Sequence, residues 1–156
     1  MAQSAQRRGL YFEEIEEGLE VASPGRTVTE ADVVLFAGLS GDYNQLHTNA
    51  EYARGTPFGQ RIAHGLLGLA IASGLLGRLG LFEGTAIAFM GLGWKFKAPI
   101  LIGDTVSLTA RVRRRRELRR LGGGVVVLGL AVRNQRGETV QEGEWTALVK
   151  SRPHDE

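Results

Sequence analysis

The segment Gly41-Asp42-Tyr43-Asn44-Gln45-Leu46-His47 sets a carboxylate and an imidazole five positions apart beside a glycine turn. An acid and a base so placed can share one water, which is what acid–base addition or removal of water needs. Spacing alone leaves a second reading open. Asp and Asn after Gly also make an ordinary turn by bonding nearby amides, with His47 at the surface.

Two helices must hold that segment in place. Thr29-Glu30-Ala31-Asp32 has an N-cap pattern, residues 33–37 continue it as an apolar run, and Gly38 or Gly41 can end it. Asp42 and His47 then fall on a loop just past a helix, since a helix would turn residues five apart to divergent faces. Residues 66–82 are the most hydrophobic stretch, and Leu66, Leu67, Leu69, Ala70, Ile71, Leu75 and Leu76 cover nearly the whole helical circumference. Such a helix must be wrapped by other elements. Its internal glycines, Gly68, Gly74 and Gly77, cost about 1 kcal/mol each, so close packing or a ligand along one side must compensate. The helix entry at Ala63-His64-Gly65 presents free backbone amides and the positive end of the dipole, where an oxyanion could dock. His64, just before a buried helix, reads as a structural hydrogen-bonding residue more readily than as a direct acid or base.

Residues 85–96, 105–112, 125–133 and 139–149 are rich in Val, Ile, Leu, Thr and aromatics and are separated by Pro or Gly turns, the pattern of strands. Val106, Leu108, Ala110 and Val112 alternate with Ser107, Thr109 and Arg111, as in a half-buried strand. A further strand across residues 19–28 gives about five antiparallel strands and one dominant helix, an α+β arrangement. The segment 134–138 reads as a short hairpin loop. We expect one domain over residues 1–156, with flexible tails at 1–9 and 151–156 and His154 a solvated tail residue.

Composition bounds the function further. With 43% hydrophobic and 23% charged residues the chain is globular in character, and no run reaches the roughly 18 apolar residues of a membrane span. Cysteine is absent, which removes disulfides, thiolate metal sites and thiol nucleophiles, and the first twenty residues lack a signal-peptide core. A cytoplasmic location is the expectation. Three histidines and scattered carboxylates show no metal-ligand spacing, so no metal is expected.

The pattern from Phe36-Ala37-Gly38-Leu39-Ser40 through Gly41-Asp42-Tyr43-Asn44-Gln45-Leu46-His47 to Ala50 resembles the signature of the MaoC-like dehydratases, the hot-dog-fold (R)-specific enoyl-CoA hydratases. Arg61-Ile62-Ala63-His64-Gly65-Leu66-Leu67 is similar to the family's entry into its long central helix. Trp94-Lys95-Phe96-Lys97-Ala98-Pro99, followed by Gly103-Asp104, is a third match. The resemblance implies a hydro-lyase acting on an acyl-CoA or acyl-carrier-protein thioester, with coenzyme A part of the substrate and no separate cofactor. By that resemblance Asp42 acts chiefly as base, His47 orients the water and shares in proton transfer, Asn44 braces the loop or the water, and the Gly65 amide binds the oxyanion. His64 and Lys97 are weaker candidates for substrate binding, and a homodimer or higher oligomer is implied. Gln45 stands where the family usually has proline, removing a residue that fixes φ, which leaves open a looser active-site loop or an altered substrate preference. A hot-dog acyl-CoA thioesterase and a non-catalytic acyl-thioester binding subunit are the alternatives.

Charge is uneven. Residues 111–120 carry seven arginines against one glutamate, a local balance of +6, while the remainder sums to −4. A solvated hairpin end is the first reading, contact with the phosphates of a thioester cofactor or with an acidic carrier protein the second. Nucleic acid comes last, because no interleaved aromatic platform accompanies the run.

Overall fold

The computed structural model describes residues 8–153, so His154 lies outside the described residues. Strands β1 (Glu20–Ala22) and β2 (Arg26–Thr27) precede helices α1 (Glu30–Ser40), α2 (Gln45–Thr48), α3 (Ala50–Arg54) and α4 (Gly65–Leu79). Strands β3 (Ala86–Phe96), β4 (Thr105–Leu118), β5 (Gly123–Arg133) and β6 (Thr139–Lys150) complete the chain. All pairings are antiparallel, in the order β1-β4-β5-β6-β3, with β2 also on β4. This is the α+β architecture that the sequence pattern implies.

Alternation builds the core. Val106, Leu108, Ala110 and Val112 of β4 and Val126, Leu128, Leu130 and Val132 of β5 all point to one buried face. Against it lie Leu67, Ile71, Ala72 and Leu75 of α4, with Phe12 and Ile15 from the amino-terminal segment in the same cluster.

Three features depart from the sequence reading. The strand expected across residues 19–28 is two, because Pro24 has no amide to donate and Ser23 uses its hydroxyl to accept the Leu108 N–H at 2.9 Å. Strand β4 runs on to Leu118, past a bulge between Val112 and Arg114, so most of the arginine run is paired strand rather than hairpin end. Arg115 accordingly bonds the carbonyls of Phe12 and Ile15 and stacks on the Phe12 ring, while Arg111 and Arg114 pair with Glu20 and Glu144. Helix α4 is not wrapped all round: a single sheet covers one face, Leu66 is 60% exposed, and added methyl groups at Gly74 and Gly77 would meet nothing within 4 Å. Of its internal glycines, only Gly68 is explained by packing within the chain.

At the inner ends of the two expected tails, Gly9 donates to the Gly80 carbonyl and Ser151 to that of Gly122, both at 2.9 Å. No helix among the described residues is long and apolar enough to cross a membrane.

Candidate active site

Helix α1 delivers Asp42. Thr29 accepts the Asp32 N–H while the Asp32 carboxylate accepts the Thr29 N–H at 2.8 Å, a reciprocal cap that starts the helix. Gly41 ends it at φ +76°, a left-handed conformation that glycine adopts freely, and turns the chain so that Asp42 leaves the helix axis. Burial opposes ionisation of Asp32, but the Thr29 and Arg26 hydrogen bonds together outweigh it and hold its carboxyl below the ordinary range.

His47 does not sit on an irregular loop as expected, but in the single turn α2. Asn44 caps that turn by accepting the Leu46 N–H at 3.0 Å, and its own N–H donates to Asp42 Oδ1 at 3.2 Å. The amide thereby couples the carboxylate to the turn that carries the imidazole. Gln45 occupies the first position of this turn, where proline is also at home, and its side chain accepts from Asn49 Nδ2 at 2.9 Å. Within the loop, Asn44 accepts from the His47 and Thr48 amides, and Thr48 Oγ1 donates to the Tyr43 carbonyl.

The imidazole is oriented by backbone. His47 Nδ1 lies 2.8 Å from the Ile62 carbonyl, which can only accept, so Nδ1 carries a hydrogen and Nε2 is the nitrogen left with the lone pair in the neutral ring. Ile62 is held in turn by a bridge to Leu101 and by the Ala63 N–H to Ile100 carbonyl bond of 2.8 Å. Arg61 adds a two-pronged ion pair to Glu30 at 2.9 and 2.6 Å and reaches the His47 carbonyl. That pairing lowers the Glu30 pKa and raises that of Arg61.

His64 is 2% exposed and occupies the N-cap position of α4 without a side-chain capping bond. Its Nε2 donates to the Asp42 carbonyl at 2.9 Å, and its ring stacks on His47 with centroids 3.9 Å apart and on Phe36 at 4.9 Å. These contacts are to protein, while its buried Nδ1 has no hydrogen-bond partner among the described residues. Lys97 lies at the rim, paired with Glu142 at 3.3 Å.

Asp42, His47 and His64 offer an oxygen and two ring nitrogens within 4.8 Å of one another, a convergence that sequence spacing did not reveal. The two rings stack at 28° with centroids 3.9 Å apart, whereas tetrahedral ligation directs ligand lone pairs at one point from well-separated directions. A water accepted by both Asp42 and His47 fits the spacing better.

Beside His47 opens a cavity of about 300 Å³ lined by Phe58, Ile62, Gly65, Phe96, Pro99 and Gln141, among others. Gly65 begins α4, whose first amides have no intrahelical acceptor. Its missing side chain is filled by Phe96, which a methyl group there would approach to 2.9 Å. The Ile62 carbonyl and Gln141 were not anticipated. A backbone acceptor has no signature of its own, and Gln141 is marked only by breaking the alternation of β6.

Residues 13–134 match the family described as MaoC like domain. An (R)-specific enoyl-CoA hydratase of Rhodospirillum rubrum is 39% identical over 152 residues, covering 91% of this chain and 93% of that protein. The structure resembles a monoamine oxidase regulatory protein from Archaeoglobus fulgius with a TM-score of 0.88 and 39% identity, over 95% of this chain and 99% of that one. It also resembles a conserved hypothetical Mycobacterium tuberculosis protein described as having a double hotdog fold, with a TM-score of 0.77 and 18% identity, over 95% of this chain and 46% of that one. The fold is therefore the hot-dog fold.

Proposed function

The chain belongs to the MaoC-like domain family, and we propose that it is an (R)-specific enoyl-CoA hydratase, a hydro-lyase that adds water reversibly across the 2,3 double bond of an enoyl thioester. One observation carries this reading beyond likeness. His47 has its tautomer fixed by the Ile62 carbonyl and its free Nε2 near the Asp42 carboxylate, beside a cavity that the Gly65 helix start also lines.

Water held between Asp42 and Nε2 of His47 donates one hydrogen to each. Asp42 takes the proton as the water oxygen bonds to C3, and the pair returns a proton to C2. The charge that develops meanwhile on the thioester oxygen is met by the Gly65 N–H and the positive end of α4. Asn44 keeps Asp42 and α2 in register. Coenzyme A enters as part of the substrate, so no separate cofactor is invoked, and the cysteine-free composition fits a cytoplasmic enzyme.

The enzyme works as a homodimer in this reading. Strand β3 lies at the sheet edge with Ile87, Phe89, Met90, Leu92 and Phe96 exposed, and α4 leaves Leu66 and its small residues uncovered. A flat apolar edge of this kind calls for a partner strand.

The test is loss of the conjugated enoyl-thioester absorbance of a short trans-2-enoyl-CoA, with the product's configuration determined. Asp42→Asn and His47→Gln are each expected to reduce kcat by about 10²–10⁴-fold without loss of fold. Near-full activity in either variant, release of free thiol, or saturable binding without turnover would overturn the assignment.

A further inference from the structure

Resting on the hydratase reading, we propose that Gln141 is a positioning residue for the thioester carbonyl: held by Trp94, it fixes the Gly65–Leu66 peptide and so sets the Leu66 N–H beside the Gly65 N–H that meets the developing oxyanion. Gln141 is 2% exposed in an otherwise largely apolar core and lines the same cavity as His47 and Gly65. Its Oε1 accepts from Trp94 Nε1 at 3.0 Å and its Nε2 donates to the Gly65 carbonyl at 3.0 Å. The orientation of the amide is not arbitrary. An indole N–H can only donate and a peptide carbonyl only accept, so each end of the side chain has one permitted partner.

Three features of the fold exist to host this contact. Val132 pairs with Gln141 and Arg133 with Thr139, which leaves Val140 as the extra residue of a bulge. A bulge turns the following side chain against the alternation of its strand, and here it sends Gln141 inward. The Val140 carbonyl it frees accepts from Lys97 and Ala98 at 2.9 and 3.1 Å, tying the bulge to the cavity wall. Gly68 then clears the way: a methyl group there would lie 2.2 Å from Gln141 Nε2.

The bond is not needed to satisfy Gly65. In a regular helix that carbonyl already accepts the Leu69 N–H, so Gln141 adds a second donor to an acceptor that has one. A buried amide and an internal helix glycine both cost stability, which apolar packing would not. What the bond does is hold a peptide plane. The Gly65 carbonyl shares its plane with the Leu66 N–H, so fixing the oxygen aims that N–H back toward the helix start, beside the Gly65 N–H. The two are neighbouring donors at the start of α4, where Gly65 lines the cavity.

The experiment compares wild type with Gln141→Met, which keeps the length but not the amide, and Trp94→Phe, which keeps a ring but not the donor. Two signals are read: kcat and KM on a short trans-2-enoyl-CoA, and the infrared carbonyl stretch of bound 1-¹³C-butyryl-CoA, a saturated thioester that cannot be hydrated. Wild type should lower the stretch relative to free thioester. Gln141→Met should lose most of that shift and about tenfold or more in kcat, with KM within about threefold, since a lost oxyanion donor itself costs roughly 10²–10³. Trp94→Phe should fall between the two. An unchanged carbonyl shift or unchanged kcat in Gln141→Met overturns the proposal, and if that variant does not fold, Trp94→Phe decides by the same signals. The carbonyl signal also separates the two claims. Wild type that shifts the stretch but turns nothing over refutes the hydratase reading and leaves Gln141 to be judged by the shift, whereas wild type that leaves the stretch unmoved overturns the role of Gln141 whatever its turnover.

Discussion

Asp104→Asn tests whether the loop that steadies His47 is held by one buried carboxylate. Asp104 is 3% exposed and accepts the Leu101 N–H at 2.9 Å on Oδ2, Gln135 Nε2 at 2.8 Å and Arg136 Nη1 at 3.0 Å on Oδ1. An asparagine can keep the Oδ1 partners, but its NH2 then faces the Leu101 N–H, donor against donor. Losing a hydrogen bond to a charged acceptor costs about 1.5–3 kcal/mol. Weakening the pair with half-exposed Arg136 adds about 1 kcal/mol at most. A total of about 2–4 kcal/mol corresponds to a Tm loss of about 4–16 °C for a chain of this size. The pH dependence is specific. Burial opposes ionisation of Asp104, but the Leu101, Arg136 and Gln135 bonds outweigh it and hold the carboxyl below the ordinary aspartate range. A depressed folded pKa means the stabilisation is complete above the unfolded value of about 3.9 and is lost as pH falls through the folded value. Scanning calorimetry should therefore find a constant gap between wild type and variant from about pH 5 to 7, narrowing below about pH 4. Because Leu101 bridges to Ile62, which orients His47, kcat should also fall severalfold. A Tm gap that is absent at pH 7, or as wide at pH 3 as at pH 7, would refute the reasoning.

Gln45→Pro should be accepted. Asn44 sits at φ −52° and ψ 134°, which suits the residue before proline, and the first position of α2 needs no N–H donor. The gain of about 0.4–1 kcal/mol from restricting the unfolded chain is offset by loss of the exposed Asn49 bond, so urea unfolding should change by less than about 1 kcal/mol with activity kept. Activity should survive exhaustive dialysis against a chelator, given the stacked rings of His47 and His64, and loss restored by a single divalent metal would show that they share an ion after all. Lysines at two of the exposed apolar positions of the β3 edge, Ile87→Lys with Leu92→Lys, should convert the proposed homodimer to monomer by sedimentation velocity, and an unchanged mass would place the interface elsewhere.

What could be read from the sequence divides along a physical line. Side chains that announce themselves by type and periodicity were legible: the Thr29–Asp32 cap, the inward face of β4, a glycine stop at one of two candidates, Gly38 or Gly41, and the nearness of Asp42, Asn44 and His47. Contacts made through backbone, or through a break in alternation, were not. The Ile62 carbonyl that selects the His47 tautomer carries no sequence mark, and it is presented only because residues 61–63 lie extended against Ile100 and Leu101. The continuation of β4 beyond Val112 was hidden because the bulge at Arg113 shifts the alternation just where the arginines begin. The same cause hid Gln141 behind the bulge at Val140. The uncovered side of α4 shows the opposite limit. Its apolar residues encircle the helix as if it were enclosed, yet one chain supplies a single sheet, and that sheet covers one face. The periodicity thus recorded burial that a lone chain does not provide. In the homodimer proposed above, the small residues of α4 and the apolar edge of β3 are the surfaces that a second copy would cover.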